Sequence, residues 1–557
     1  MKSSIWLASA LVLAIGITVQ AAETPLGQVS KDADVVIRIR AFDRTVKNVA
    51  ALANEIQPGA GDLVSQNATM FGLVLSNPAL AGVDQTKDFY LVLFARPEGE
   101  PKALFVIPTT DGPALQKGLP ENYDSQVRED WVFYATNEHG VPEAVTEADS
   151  MESVIVRSEA LEMLEDSDIG LYVNVKHLAE VYADKIQAGR QKFEEQIQQG
   201  LKTPGVENAA GAVQILKLEA DIAFQLLEDT DSIAIGINAS KDGLEIADHL
   251  DFEEGSQVAT FLEKHPTSEF KSLSKLGEGF PVYFGLSADF KSLAELSEKF
   301  LGVMYTDPAV QEAMKESLKA LYKTPVTSAV GSFDVASSGT GLLRTTGFYE
   351  TKAASELLDG ARKMAAAMKS VKAAGVTSET QLKAEAETIG DHKIDVMTVK
   401  QQVDPKQSGA AIQMMVTGVM FGPNGLESRS TALADGFLQV QGGGKGAMEV
   451  ALKAYDASEN SLSDEREGLA EEAHALLLLD LPGLVTNGLL AATSIPAIPL
   501  PIKKEAVEEL QITRSYTAAS AVAEKHSLRF DVNVPTEQFR GVMKLVGLFQ
   551  QLQRGGK

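Results

Sequence analysis

The chain has no cysteine in its 557 residues. That excludes a disulfide framework, thiol catalysis and any zinc or iron–sulfur site built on thiolates. Positive charge is also scarce: 50 Lys and Arg stand against 77 Asp and Glu, a formal charge of −27. Nucleic acids and anionic membrane surfaces reward clustered Lys and Arg, so the balance argues against both as partners. It suits cationic partners, divalent ions or plain solubility in salt. Only two tryptophans are present, and Trp131 alone lies beyond the first 21 residues, too few for the aromatic platforms of a carbohydrate-binding protein. Past the N-terminus no apolar run reaches the ~20 residues a spanning helix needs. The run from Ala475 is stopped by Asp480 and Pro482.

What is present begins with an export signal. Lys2 precedes an apolar stretch from Ile5 to Val19, and Val19-Gln20-Ala21 offers small residues at the −3 and −1 positions of a cleavage site. Residues 1–21 read as a signal peptide, with Ala22 or Glu23 starting the mature chain; an uncleaved anchor is the alternative. Loss of Lys2 takes the charge from −27 to −28. The expectation is an exported protein, periplasmic or extracellular, with no transmembrane segment in the mature chain. At 44% hydrophobic residues, two sizeable cores can form without disulfides.

A strand running into an amphipathic helix occurs four times, each followed by a hairpin and a second helix. In the first unit Val35, Ile37 and Ile39 alternate with Val36, Arg38 and Arg40, and Val46, Val49, Ala50 and Ala53 share a helix face. The second places Leu171, Val173 and Val175 on a buried strand face and continues as a polar helix from Leu178 through Gln198. The third does the same with Val282, Phe284 and Leu286, then Leu293, Leu296 and Phe300. The fourth, Ala475 to Leu479, is apolar on both strand faces, the mark of a central strand. The hairpins span Phe89 to Ile107, Ile233 to Phe252, Val330 to Tyr349 and Tyr516 to Val534, with turns at Pro97 to Pro101, Lys241-Asp242-Gly243, Ser338 to Gly341 and Glu524-Lys525-His526. Ser256 and Thr536 are candidate helix caps.

A strand, turn and short helix also recur, at Asp130 to Asp149 and Asp435 to Asp456. The fold expected is α+β: two related halves, 22–270 and 275–557, each a mostly antiparallel sheet of repeated β-α-β-β-α units with helices packed on it. The second half carries extra strands near 393–421, at Lys393 to Val403 and Ile412 to Phe421. Residues 275–279 read as the linker. This order of elements resembles a group of uncharacterised exported bacterial proteins that share a repeated α+β domain of unknown function. The resemblance implies the fold and the export, and no site residues.

Chemistry is sparse. The seven histidines, His139, His177, His249, His265, His392, His474 and His526, form no HxxxH or HxxEH spacing. Gly442 to Gly446 (GGGKG) joins a strand to a helix but lacks the phosphate-loop spacing and a Ser or Thr after Lys445. No GxSxG elbow occurs. The acidic runs Glu165 to Asp168 and Glu228 to Asp231 depart from calcium-loop spacing and read as solvated turns. Ile495 to Lys504 is an apolar Pro-rich stretch, a loop pinned over a core or a docking segment. No catalytic, cofactor-binding or metal-ligating residue is assigned and no cofactor is expected. The reading is a non-catalytic binding or scaffold protein whose partner is a protein or a hydrophobic ligand. A carrier of hydrophobic ligands and a hydrolase with a composite site are the alternatives.

Overall fold

The computed structural model describes residues 24–555 apart from 69–70, 76, 156–159, 202–209, 294–296, 298–307, 309–310, 313, 317–322, 339, 374–375, 404–409, 459–461, 463 and 495–501. The expected signal peptide, Leu296, Phe300 and most of the Pro-rich stretch lie outside the described residues.

The strands are β1 (Val35–Ile39), β2 (Phe89–Phe94), β3 (Lys102–Pro108), β4 (Tyr123–Arg128), β5 (Trp131–Thr136), β6 (Ile169–Asn174), β7 (Thr230–Ser240), β8 (Gly243–Phe252), β9 (Val282–Leu286) and β10 (Ser328–Ser338). The remainder are β11 (Gly341–Glu350), β12 (Ser370–Ala373), β13 (Val376–Ile389), β14 (His392–Val403), β15 (Leu426–Ala432), β16 (Gly436–Gln441), β17 (Ala475–Leu479), β18 (Thr517–Glu524) and β19 (Ser527–Pro535). All belong to one 19-stranded sheet. Neighbouring strands run β4-β5-β3-β2-β1-β6-β7-β8-β19-β18-β17-β9-β10-β11-β16-β15-β14-β13-β12, and every pairing is antiparallel. The fold is α+β with a large antiparallel sheet. No helix among the described residues is long and apolar enough to cross a membrane.

One face of the sheet holds the two main cores. Val36, Val92, Leu104, Phe133 and Tyr172 pack under the helices Met151–Ile155 and Ala160–Asp166. Tyr283, Val330, Phe348, Leu438, Leu476 and Leu478 pack under Phe270 to Phe280 and the helix Gly444–Ala457. The segment 275–279, expected as a linker, is part of this core: Leu276 within it is buried, and buried Leu273 and Phe280 flank it. On the opposite face, cores among the described residues lie toward the outer strands, around Phe42, Phe89 and Tyr134 on one side and Leu357 and Phe437 on the other. A further small core, Ile502, Val507 and Leu548, forms among the helices Leu481–Thr493, Lys504–Glu508 and Thr536–Gly555.

This arrangement reverses the expected burial in the repeated strands. Tyr172 and Tyr283 are the buried residues, while Leu171 and Val173 are half-buried and Phe284 and Leu286 are exposed. Val175 is buried as expected, but as the first residue of the following helix. The reason is packing on the core face, where the covering layer presses onto the strands. A side chain at Gly285 would place its Cβ 2.7 Å from the Phe270 ring. Alternation alone shows that two faces differ; it does not show which one is closed.

The second extra strand is also corrected. Ile412 to Phe421 is part of a helix, Ala410–Phe421, while Lys393 to Val403 is a strand as expected. Ala, Gln and Met are good helix formers, and the segment has no alternation to hold it in a sheet. The expected helix from Leu178 is broken at Tyr182 into Val175–Val181 and Ala183–Leu201. Ser256 caps its helix as expected, its Oγ accepting from the Ala259 amide at 3.2 Å.

The glycine run that links β16 to its helix is structural. Gly442 has φ +72°, and a Cβ there would lie 1.8 Å from the Leu343 carbonyl oxygen. Lys445 pairs with Glu449 at 3.8 Å, one turn along the helix. Left-handed backbone costs an L-residue about 1–2 kcal/mol before any clash, so Gly442→Ala is expected to lower stability by at least about 2 kcal/mol. Urea unfolding checks this; an unchanged midpoint would refute it.

Candidate functional site

The polar residues singled out in the sequence are largely consumed by the fold. Asp168 and Asp229, expected as solvated turn residues, are buried. Asp168 accepts from Asn48 Nδ2 at 2.9 Å and from the Ala239 amide at 3.1 Å; Asp229 accepts from the Val258 amide at 3.0 Å. These carboxylates satisfy backbone donors, one near the end of a strand and one in the first turn of the helix Gln257–Leu262, which local sequence cannot reveal because the donors lie elsewhere in the chain.

The histidines are dispersed. His139 meets Thr136 and Arg96, His392 starts β14, and His474 lies against the backbone carbonyl of His265, 3.0 Å from its Nε2. His177 Nδ1 is 2.8 Å from Asp34, a buried carboxylate that also accepts from the Ala95 amide. No Ser or Thr side chain among the described residues hydrogen-bonds its Nε2. The nearest approach to a triad is Ser232, Asp251 and His249. Ser232 Oγ donates to Asp251 Oδ2 at 2.8 Å, and His249 Nε2 is 3.0 Å from Asp251 Oδ1. Nucleophilic catalysis needs the imidazole between hydroxyl and carboxylate. Here the carboxylate is in the middle, so the hydroxyl proton faces a weak carboxylate base and not an imidazole. Burial pushes the Asp251 carboxyl up, but the hydrogen bonds from His249 and Ser232 outweigh it and hold the group below its usual range. Among the described residues no group of three or more His, Asp or Glu is placed to hold a metal ion. Two open concavities, about 630 and 380 Å³, are lined respectively by Phe270, Arg466 and Glu471 and by Tyr172, Lys176, Asp251 and His526.

What stands out instead is the apolar face opposite the main cores. The sheet register aligns Ile39, Ile169, Ile237, Ile246, Val532, Ala519, Leu477, Phe284 and Gly331 in one row across nine strands. None is polar. The adjacent row is Ile37, Leu171, Ile235, Asp248, Phe530, Ala521, Ala475, Leu286 and Ala329. On the β9–β17 pair the rows are open to solvent: Phe284 is 43% exposed, Leu286 41% and Leu477 40%. Most other members are half-buried and none belongs to a buried core, apart from Ile39, which lies against the outer one at Phe42. Small residues on either side, Gly331 and Ala519, leave Phe284 and Leu477 standing above their neighbours.

One carboxylate interrupts the face. Asp248 has Ile235 and Phe530 as cross-strand neighbours and Ile246 and Leu250 two residues away on its own strand. Its Oδ1 is buried without a hydrogen-bond partner among the described residues. Burial, and then the charge of Asp531, push the Asp248 carboxyl above its usual range. Sequence reasoning missed this residue, although Leu244, Ile246, Asp248 and Leu250 carry the signal: an acid at the apolar parity of a strand. Compared with family models, with curated proteins and with solved structures, the chain matches none.

Proposed function

We propose that the chain is an exported, non-catalytic binding protein of the bacterial envelope or extracellular space that carries hydrophobic ligands on the apolar face of its sheet. The observation that supports this most is the pair of nine-residue rows, which contain one polar side chain and are exposed at Phe284, Leu286 and Leu477. Monomeric proteins rarely leave contiguous apolar patches larger than roughly a few hundred Å² unless something binds there. A scaffold role needs no such face, and a triad hydrolase needs an imidazole base on its nucleophile, which the Ser232–Asp251–His249 order does not supply.

On this reading the protein consists of two related halves. Outward from the β8–β19 pair, one side of the sheet runs β7, β6, β1, β2, β3, β5, β4 and the other β18, β17, β9, β10, β11, β16, β15. The order of elements is the same on both sides, and β12, β13 and β14 extend the second. Duplication with insertion accounts for that order and for a ligand face shared by both halves.

Titration with Nile red, an uncharged apolar dye, tests the function. Saturable binding is expected, reduced at least tenfold in a Phe284→Asp, Leu477→Asp double variant that unfolds at the wild-type midpoint. Absence of saturable binding would refute the carrier reading. Hydrolase turnover abolished by a single His→Ala change, with unfolding unaffected, would replace it with an enzyme.

A further inference from the structure

The geometry points to a ligand with an aliphatic chain and a cationic head, an alkylammonium amphiphile whose ammonium group sits on Asp248 and whose chain lies along the apolar rows. This deepens the carrier reading and rests on it. The argument starts from the cost of an ionised carboxylate among Ile235, Ile246, Leu250 and Phe530 with one oxygen unpartnered. An acceptor left without a donor in such surroundings costs about 1–3 kcal/mol, more when charged. Asp531, which shares its neighbourhood, directs its own charge to Arg529, with Nε at 3.0 Å and Nη2 at 2.9 Å from Oδ1. Among the described residues Asp248 has no such cation. A ligand that supplies one meets the only charge on the rows with the opposite charge, and its chain covers side chains that otherwise face water. The excess of acids over bases across the chain favours approach of a cation over that of a fatty acid anion. A second copy of the chain fits less well, since two such faces would bring two Asp248 carboxylates together in an apolar interface.

Calorimetric titration of the full-length mature protein with dodecylamine, dodecanol and sodium dodecanoate, the two ionic compounds below their micelle concentrations and dodecanol below its solubility limit, tests the inference at pH 7. Dodecylamine is expected to bind wild type at least tenfold more tightly than either other compound. In the isosteric Asp248→Asn variant that preference should disappear, with dodecanol binding unchanged. Equal affinity for all three in wild type, or a preference that survives Asp248→Asn, overturns the head-group assignment and leaves the carrier reading standing. Failure of all three to bind, with Nile red also excluded, defeats both. A concentration-dependent dimer in light scattering that excludes the probes makes a second copy the occupant and overturns the inference.

Discussion

Tyr283→Ala is expected to lower stability by about 3–5 kcal/mol, while Phe284→Ala, one residue along the same strand, is expected to cost about 1 kcal/mol or less. The two side chains point to opposite faces. Tyr283 has no solvent exposure and lies edge-on to Phe280 and Tyr516, with ring centroids at 6.0 and 5.9 Å. Its hydroxyl donates to the Gly277 carbonyl at 2.8 Å and accepts from the Phe280 amide at 3.1 Å, and burial pushes its pKa up to about 12. Truncation therefore opens a cavity and strands two backbone groups. Phe284, by contrast, is partly in water and rests on Gly331, so its removal exposes little that was covered. Urea unfolding of both variants checks the contrast. Equal losses, or a larger loss at Phe284, would mean that the burial of β9 has been assigned to the wrong face.

Arg429→Ala is expected to cost about 3 kcal/mol at neutral pH, the lower end of what breaking a buried ion pair costs. Arg429 is buried on β15 and grips Glu387 with two hydrogen bonds, Nε to Oε2 at 3.0 Å and Nη2 to Oε1 at 2.9 Å. Nη1 holds Glu427 at 3.0 Å. Without the guanidinium two carboxylates remain together, with the charge of Lys445 acting on Glu387 but no direct ion-pair partner for either among the described residues. The lower end applies because Glu387 and Glu427 keep some contact with water. The hydrogen bond from Arg429 holds the Glu387 carboxyl below its usual range. A folded pKa below the unfolded value gives stability that is complete above the ordinary Glu pKa of about 4.3 and is lost as pH falls through the folded value. Wild type should therefore weaken in acid. In Arg429→Ala the paired acids prefer to be protonated, so the gap between the proteins should narrow as pH falls below about 4.3. A gap that stays constant from pH 7 to pH 3 would show that the loss is packing alone.

The sequence carried the local elements well. All four hairpins lie where the turn residues put them, because Lys241-Asp242-Gly243 and Ser338 to Gly341 act within a few residues of themselves. Strand faces were another matter. Phe284 and Leu286 have the chemistry of core residues, yet the covering layer sits on Tyr283 because Phe270 and Phe280, brought in from outside the strand, pack there. The same non-locality hid the buried carboxylates, whose partners lie far along the chain: Asn48 for Asp168, Arg362 for Asp395. The helix at Ile412 was misread because uncharged apolar runs look alike in helices and strands. As for the candidate site, it exists only once eight strand pairings align the rows, and no segment contains more than a fragment of it. Asp248 alone was visible in principle, as a charge where the strand's alternation calls for an apolar residue.

The pairing of β8 with β19 sets the order in which the molecule can be finished. Thr536 Oγ donates to the carbonyl of Lys241, 295 residues earlier in the chain. Until β19 has emerged, β8 is an open edge at the middle of the sheet, with unpaired amides and carbonyls beside an apolar face. Such an edge invites pairing with another chain, and closing so long a loop is slow. A chain shortened before Ser527 would expose both β8 and β18 and lose the seam between the two sides. The centre of the sheet depends on a strand made long after the one it completes.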